Sequence, residues 1–243
     1  MQGAWFLLVT VGTCSVVQSL FGVGLLVFGT PTLLLAGYSF EETIASLLPA
    51  SLLISLMQVL HGRQHIGELR NRVLLYCIPF IAIGLALVLS DLLVLDIRVL
   101  VGATLIFSAV ARLNQRIHGA LASLLKRYTP AYLMGMGFLH GISNMGGGFL
   151  TIFVGTLYSD KEKTRANIAF GYLVFAASQI AVLLVLQPQA LGIRALGLTA
   201  VAFAAYLTIG NLIFLKSSRA VYQRLITAFM MAYGVLLIGQ ELF

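Results

Sequence analysis

Ser143-Asn144-Met145-Gly146-Gly147-Gly148 interrupts a long apolar stretch, residues 129–158, and Phe21-Gly22-Val23-Gly24, followed by Thr30-Pro31, interrupts another, residues 3–37. As unbroken helices these stretches would be about 45 Å and about 52 Å long at 1.5 Å per residue. A hydrocarbon core of about 30 Å is too thin for either in one pass. Each must bend back, and glycine marks the bend because backbone without a Cβ adopts turn dihedrals that other residues avoid. Broken backbone is tolerated at membrane depth only where protein or a water-filled cavity satisfies its polar groups. The sequence therefore predicts two helical hairpins, 3–37 and 129–158, with tips inside the membrane.

The surrounding chain reads as membrane throughout. Apolar residues make up 60% and charged residues 9%, with a mean hydropathy of +1.00, against roughly 25% charged in a soluble domain. Simple crossings are expected at about 40–60, 73–90, 97–111, 163–186, 195–215 and 221–240. Thirteen of the fifteen Lys and Arg residues fall in four clusters: Arg63, Arg70, Arg72; Arg112, Arg116, Lys126, Arg127; Lys161, Lys163, Arg165; and Lys216, Arg219, Arg224. Cytoplasmic loops collect such residues. If both hairpins return to the side they left, all four clusters share that face, and Glu41, Glu42, Asp91, Asp96 and Glu241 lie opposite. Single passes would put the last two clusters outside, so charge favours the hairpins. The chain is expected in the cell inner membrane as a multi-pass protein with its basic loops cytoplasmic.

The formal charge of +7 belongs to this bias, and no nucleic-acid partner follows from it. Cys14 and Cys77 lack metal-ligand or CxxC spacing and read as packing residues. Met1-Gln2-Gly3-Ala4-Trp5 has no basic n-region, so the first apolar stretch is expected to stay in the mature protein. No cofactor motif is present.

Odd numbers of crossings in each half predict an inverted repeat, residues 1–120 and 121–243. An offset of 124 residues aligns Ser19, Gly22, Gly24 and Leu26 with Ser143, Gly146, Gly148 and Leu150, and likewise Thr32-Leu33 with Thr156-Leu157 and Ile44-Ala45 with Ile168-Ala169. Eight identities thus fall within 27 positions, which supports duplication. Capping boxes are expected at Ser39 to Glu42 and Ser159 to Glu162. The predicted fold is an all-α polytopic membrane protein, each half a broken-helix hairpin followed by three transmembrane helices.

Such a plan recurs in secondary transporters, whose sites lie where broken helices meet. A helix break turns backbone N–H groups and the positive dipole end into the membrane interior, where they hold an anion without an unpaired arginine. The candidate binding groups are Gly22, Val23, Gly24 and Leu25 at the first tip and Ser143, Asn144, Gly146, Gly147 and Gly148 at the second. Gln18 and Asn167, polar groups beside the tips, are candidates for lining the pathway. His140, one turn before Ser143, either meets substrate or a coupling proton, or is a packed structural histidine.

The chain resembles the TauE/SafE family, the sulfite exporter family of bacterial and archaeal membrane proteins. Phe21-Gly22-Val23-Gly24-Leu25-Leu26 with Pro31 and Leu33-Leu34-Leu35-x-Gly37 carry the resemblance in the first half. Gly137-x-x-x-Gly141-x-x-x-x-Gly146-Gly147-Gly148 and the Lys161-to-Ala169 return into a helix carry it in the second. The family's first glycine run often has three consecutive glycines, whereas Leu25 follows Gly24 here. The resemblance implies a transporter, usually an exporter, of sulfite, an organosulfonate or a related small anion. Coupling to a proton or ion, and a homodimer, stay open.

Two other functions compete. An intramembrane hydrolase would use Ser143 as nucleophile and His140 as base, but no orienting acid is visible nearby. A non-transporting assembly protein would leave the paired glycine breaks unexplained. His61 and His65 have metal-ligand spacing, yet Arg63 between them favours an interfacial turn.

Overall fold

The computed structural model describes residues 2–67, 69–210 and 219–242, and among them the regular structure is helical with no strand. Helix α1 (Gln2–Phe21) ends at the first glycine motif; a π-turn (Leu25–Gly29) and α2 (Thr30–Leu35) follow. Then come α3 (Phe40–Gly62), a 3-10 turn (Arg63–His65), α4 (Leu69–Leu89) and α5 (Ile97–Leu113). After α6 (Gln115–Arg127), α7 (Thr129–Ser143) leads into the second break and α8 (Gly146–Leu157). The chain continues through α9 (Lys161–Leu186), α10 (Ile193–Ala205), a π-turn (Tyr206–Gly210) and α11 (Arg219–Leu242). Lys216 and residues 211–215 of the expected 195–215 crossing lie outside the described residues.

Among the described residues, three helical segments are long and apolar enough to cross a membrane, Phe40–His65, Leu69–Leu89 and Lys161–Leu186, and shorter apolar helices lie around them. The two with most internal contact, α3 and α9, pack on each other; α4 lies against α7 and α9, and α10 against α1 and α3. Close approach between membrane helices needs small residues, since lipid offers no hydrophobic drive for association. Gly137 and Gly141 of α7 supply it against α4, because a Cβ at Gly141 would sit 2.5 Å from the Ile81 carbonyl oxygen and one at Gly137 2.7 Å from that of Cys77. The contact of α5 with α11 uses the same device, with Gly102 facing the Gly234 carbonyl.

Two local readings need correction. Residues 112–128, expected as a basic loop, contain α6, whose Ile117, Leu121 and Leu125 face the protein while Arg116, Ser123 and Arg127 are outward or exposed. The four-residue spacing of those apolar side chains outweighs the charges between them. Ser39 and Glu42 form the expected capping box, but at α9 the cap is Asp160, whose carboxylate accepts from Lys163 N at 2.8 Å. That bond holds the Asp160 carboxyl below its ordinary value. A charged acceptor is the stronger cap, and Glu162 is left to pair with His65 at 3.1 Å.

Candidate anion site at the helix breaks

The first break forms because α1 cannot continue through Gly22, which takes φ +74°, a region open to glycine and costly for other residues. Gly24 is extended, and its lack of a side chain serves space instead: a Cβ there would meet the Cys14 carbonyl oxygen at 2.7 Å. Gln18 then fixes the shape of the turn. Its Oε1 accepts from Leu25 N at 3.1 Å, while its Nε2 donates to Ser55 Oγ at 3.0 Å and to Ser51 Oγ and O at 3.3 Å. Two helices hold the carbonyl end of α1. Gln58 Nε2 from α3 donates to Gln18 O at 2.8 Å and Ser19 O at 3.2 Å, and Arg165 Nη2 from α9 donates to Ser19 O at 2.6 Å.

The second break is built from its own residues. Asn144 sits in the left-handed region at φ 61°, which asparagine tolerates better than most residues, and its N–H returns to His140 O at 2.7 Å. Ser143 Oγ donates to Leu139 O at 2.7 Å and accepts from Met145 N at 3.2 Å. Asn144 Nδ2 reaches Thr30 Oγ1 at 2.8 Å, which ties this break to the segment after the first one. Behind it, His140 stacks on Phe175 with ring centroids 4.1 Å apart, and Gln179 Nε2 donates to His140 O at 3.3 Å.

Hydrogen-bond roles follow from this network. His140 Nδ1 accepts from Gly146 N at 3.2 Å, so the neutral ring carries its proton on Nε2. That Nε2–H, together with Asn144 Oδ1 and Gln179 Oε1, is fully buried and has no hydrogen-bond partner. The glycines themselves are close-packed. A Cβ at Gly146 would meet His140 Cβ at 2.6 Å, one at Gly148 would meet Ser108 Oγ at 2.8 Å, and one at Gly147 would collide with the Tyr172 hydroxyl.

Among the expected side-chain ligands, His140 and Asn144 meet at the second break, and Gln18 lies at the first. Ser143 is engaged by local backbone, and Asn167 sits elsewhere: it accepts from Gly67 N at 3.2 Å and donates to His65 O and Lys163 O at 2.9 Å and 2.8 Å, clamping the turn after α3 onto α9. The nucleophile–base pair of a hydrolase is not made, since Ser143 Oγ and His140 Nδ1 are committed to Leu139 O and Gly146 N. Sequence reading missed Thr30, Gln58 and Arg165. Gln58 was visible as the third member of a polar row with Ser51 and Ser55 on one face of an apolar helix; Arg165 was hidden in a basic cluster.

Residues 6–237 match the family model of the sulfite exporter TauE/SafE family. The chain belongs to that family. No curated protein and no solved structure matches it. TauE/SafE proteins are transporters and not enzymes, and membership implies transport of sulfite or related sulfur anions. Family and apolar helices together make this a multi-pass membrane protein.

Proposed function

We propose that this TauE/SafE member is a secondary transporter that exports a small sulfur-containing anion, sulfite or an organosulfonate, bound near the bilayer midplane between the two helix breaks. The observation that carries the reading is the group of unpartnered atoms at the second break, His140 Nε2, Asn144 Oδ1 and Gln179 Oε1. A buried polar atom without a partner costs about 1–3 kcal/mol. Gln179 Oε1 is fixed as an acceptor because its Nε2 donates to the His140 carbonyl, so the two groups that can serve an anion are the His140 Nε2–H and the Asn144 amide. The amide of Asn144 can turn over, because the Thr30 hydroxyl both donates and accepts; an anion would then meet donors from Asn144 and His140. The helices that begin at the two breaks add their positive dipole ends, while the N–H groups of Gly22, Leu25, Gly146 and Gly148 are already bonded within the protein.

The inverted repeat is supported by the way helices pair. With 1–120 and 121–243 as halves, α1 corresponds to α7, α3 to α9, α4 to α10 and α5 to α11. The most extensive cross-half contacts between non-equivalent helices have their mates: α4 on α7 answers α10 on α1, and α4 on α9 answers α10 on α3. Two halves of opposite orientation give the equal and opposite states that alternating access requires. The basic clusters would face the cytoplasm.

Uptake into proteoliposomes containing purified protein tests this function, using sulfite, thiosulfate, sulfoacetate, sulfate and carboxylates under several pH gradients. Saturable flux of sulfite or a sulfonate is expected. Flux restricted to carboxylates, or none above protein-free vesicles, would refute it.

A further inference from the structure

A cleft of about 460 Å³ opens where the start of α4 meets the end of α6 and the beginning of α7. Sites that take small molecules span roughly 300–1,000 Å³. Arg72, on the first turn of α4, and Arg127, at the last residue of α6, both line it, and among the described residues in its walls none is acidic. Both arginines are exposed, and among the described residues neither forms an ion pair. The Arg127 guanidinium lies 5.2 Å from the centre of the Tyr128 ring, a contact that orients the charge without neutralising it. Asn71 adds donors, because its Oδ1 accepts from Arg70 Nε at 3.4 Å and its NH2 group is left uncommitted. Helix α7 begins at Thr129, which also lines the cleft, so its positive dipole end lies at the same edge.

The cleft sits at the end of a membrane span. Helix α4 is long and apolar enough to cross, and Arg72 precedes its apolar run. Leu75 and Tyr76 follow Arg72 by three and four residues, which places all three on one helix face, and both line the cleft. Leu75 is 64% exposed, and Leu74 and Ile78 on the same helix are exposed as well. In a multi-pass membrane protein such a surface meets acyl chains. Positive charge at the end of the span with apolar surface one turn further along matches the layout of a phospholipid.

We propose that this cleft binds an anionic phospholipid, its phosphodiester held between Arg72 and Arg127 and one acyl chain lying along Leu75 and Tyr76. Basic pockets between membrane helices suit such headgroups. A choline lipid carries the same phosphodiester but adds an ammonium group, which meets two arginines and no carboxylate here. A glycerol headgroup has hydroxyls in that place, and the Asn71 amide and Tyr76 phenol can bond them. Phosphatidylglycerol therefore fits better than phosphatidylcholine. Glu68, one turn before Arg72 in sequence, lies outside the described residues, so its neutralisation enters the test.

Quenching of tryptophan fluorescence by brominated lipid tests the site in vesicles containing the full chain. Trp5 is the only tryptophan and lies outside the cleft, so Leu75→Trp in a Trp5→Phe background puts a reporter at an exposed position within it. At this reporter, brominated phosphatidylglycerol should be favoured over phosphatidylcholine by roughly tenfold, while Trp5 in the unaltered chain should show no preference. Arg72→Gln and Arg127→Gln should each lower the preference roughly fivefold. Arg116→Gln, exposed on α6 but outside the cleft, should leave it unchanged, and so should Glu68→Gln. Equal quenching by the two lipids, a preference that Arg116→Gln lowers as much as Arg127→Gln does, or one that emerges only in Glu68→Gln would overturn the proposal. Its loss in sodium phosphate but not in sodium chloride of equal ionic strength would also overturn it, by assigning the arginines to a free oxyanion. The comparison of the two lipids decides even where an arginine variant fails to fold.

Discussion

Replacing Gln18 by leucine tests whether a single side chain shapes the first break. The change nearly conserves volume and removes every polar contact at both ends of the amide. At Oε1 the loss has no substitute: Leu25 N, fully buried, loses its acceptor at 3.1 Å, and a stranded buried donor costs about 1–3 kcal/mol. At Nε2 the loss is smaller. The Ser51 and Ser55 hydroxyls can turn to carbonyls of their own helix, and side-chain bonds between membrane helices average about 0.6 kcal/mol. Together these give about 2–4 kcal/mol, or a melting point lowered by roughly 5–15 °C for a chain of this size. Cys14 and Cys77 are free and buried, so a thiol-reactive dye that fluoresces on coupling reports unfolding in detergent without further labelling. Ser55→Ala should cost under about 1 kcal/mol, because Nε2 keeps Ser51. A melting point for Gln18→Leu within error of the wild type, or a loss no greater than that of Ser55→Ala, would refute the assignment.

The tight crossing of α4 on α7 predicts that Gly141→Ala destabilises by about 1–3 kcal/mol through overpacking, while Gly135→Ala on the same helix, with open space at its Cβ, costs nothing; equal melting points would contradict that contact. Single cysteines near Arg70, Lys126, Lys163 and Lys216, in a background lacking Cys14 and Cys77, should all be protected from a membrane-impermeant thiol reagent applied outside, and labelling at 163 or 216 would sink the inverted repeat. His140→Gln keeps an acceptor for Gly146 N but carries no titrating proton, so transport should lose its pH dependence if His140 is the coupling group; an unchanged profile returns the residue to packing.

Sequence carried the membrane class, the helical content and the family because each rests on features spread along the chain: hydropathy, clustered charge and short glycine motifs. Local breaks were legible for the same reason, since Gly22 and Asn144 occupy positive φ and such residues are recognisable types. What stayed hidden depends on partners far apart in sequence. Asn144 meets Thr30 across 114 positions and Arg165 meets Ser19 across 146, and no periodicity encodes that. Asn167 shows the same dependence on distant partners. A polar residue beside a predicted tip suggested a pathway, yet its three bonds all go to backbone of the neighbouring turn and of α9.

The two breaks are held in physically different ways, and this bears on which one moves. At the second, the closing bonds come from within the motif: Ser143 to Leu139 and Met145, Asn144 to His140, Gly146 to His140. Such a unit keeps its shape when neighbouring helices shift, because its bonds travel with it. At the first, the carbonyl end of α1 depends on Gln58 from α3 and Arg165 from α9, so any sliding of either helix changes the turn. Both of those side chains line one cavity, together with His61, His65 and Glu162. The first break is therefore the one whose shape follows any shift of α3 or α9, and the Asn144–Thr30 bond is the contact that links it to the second break.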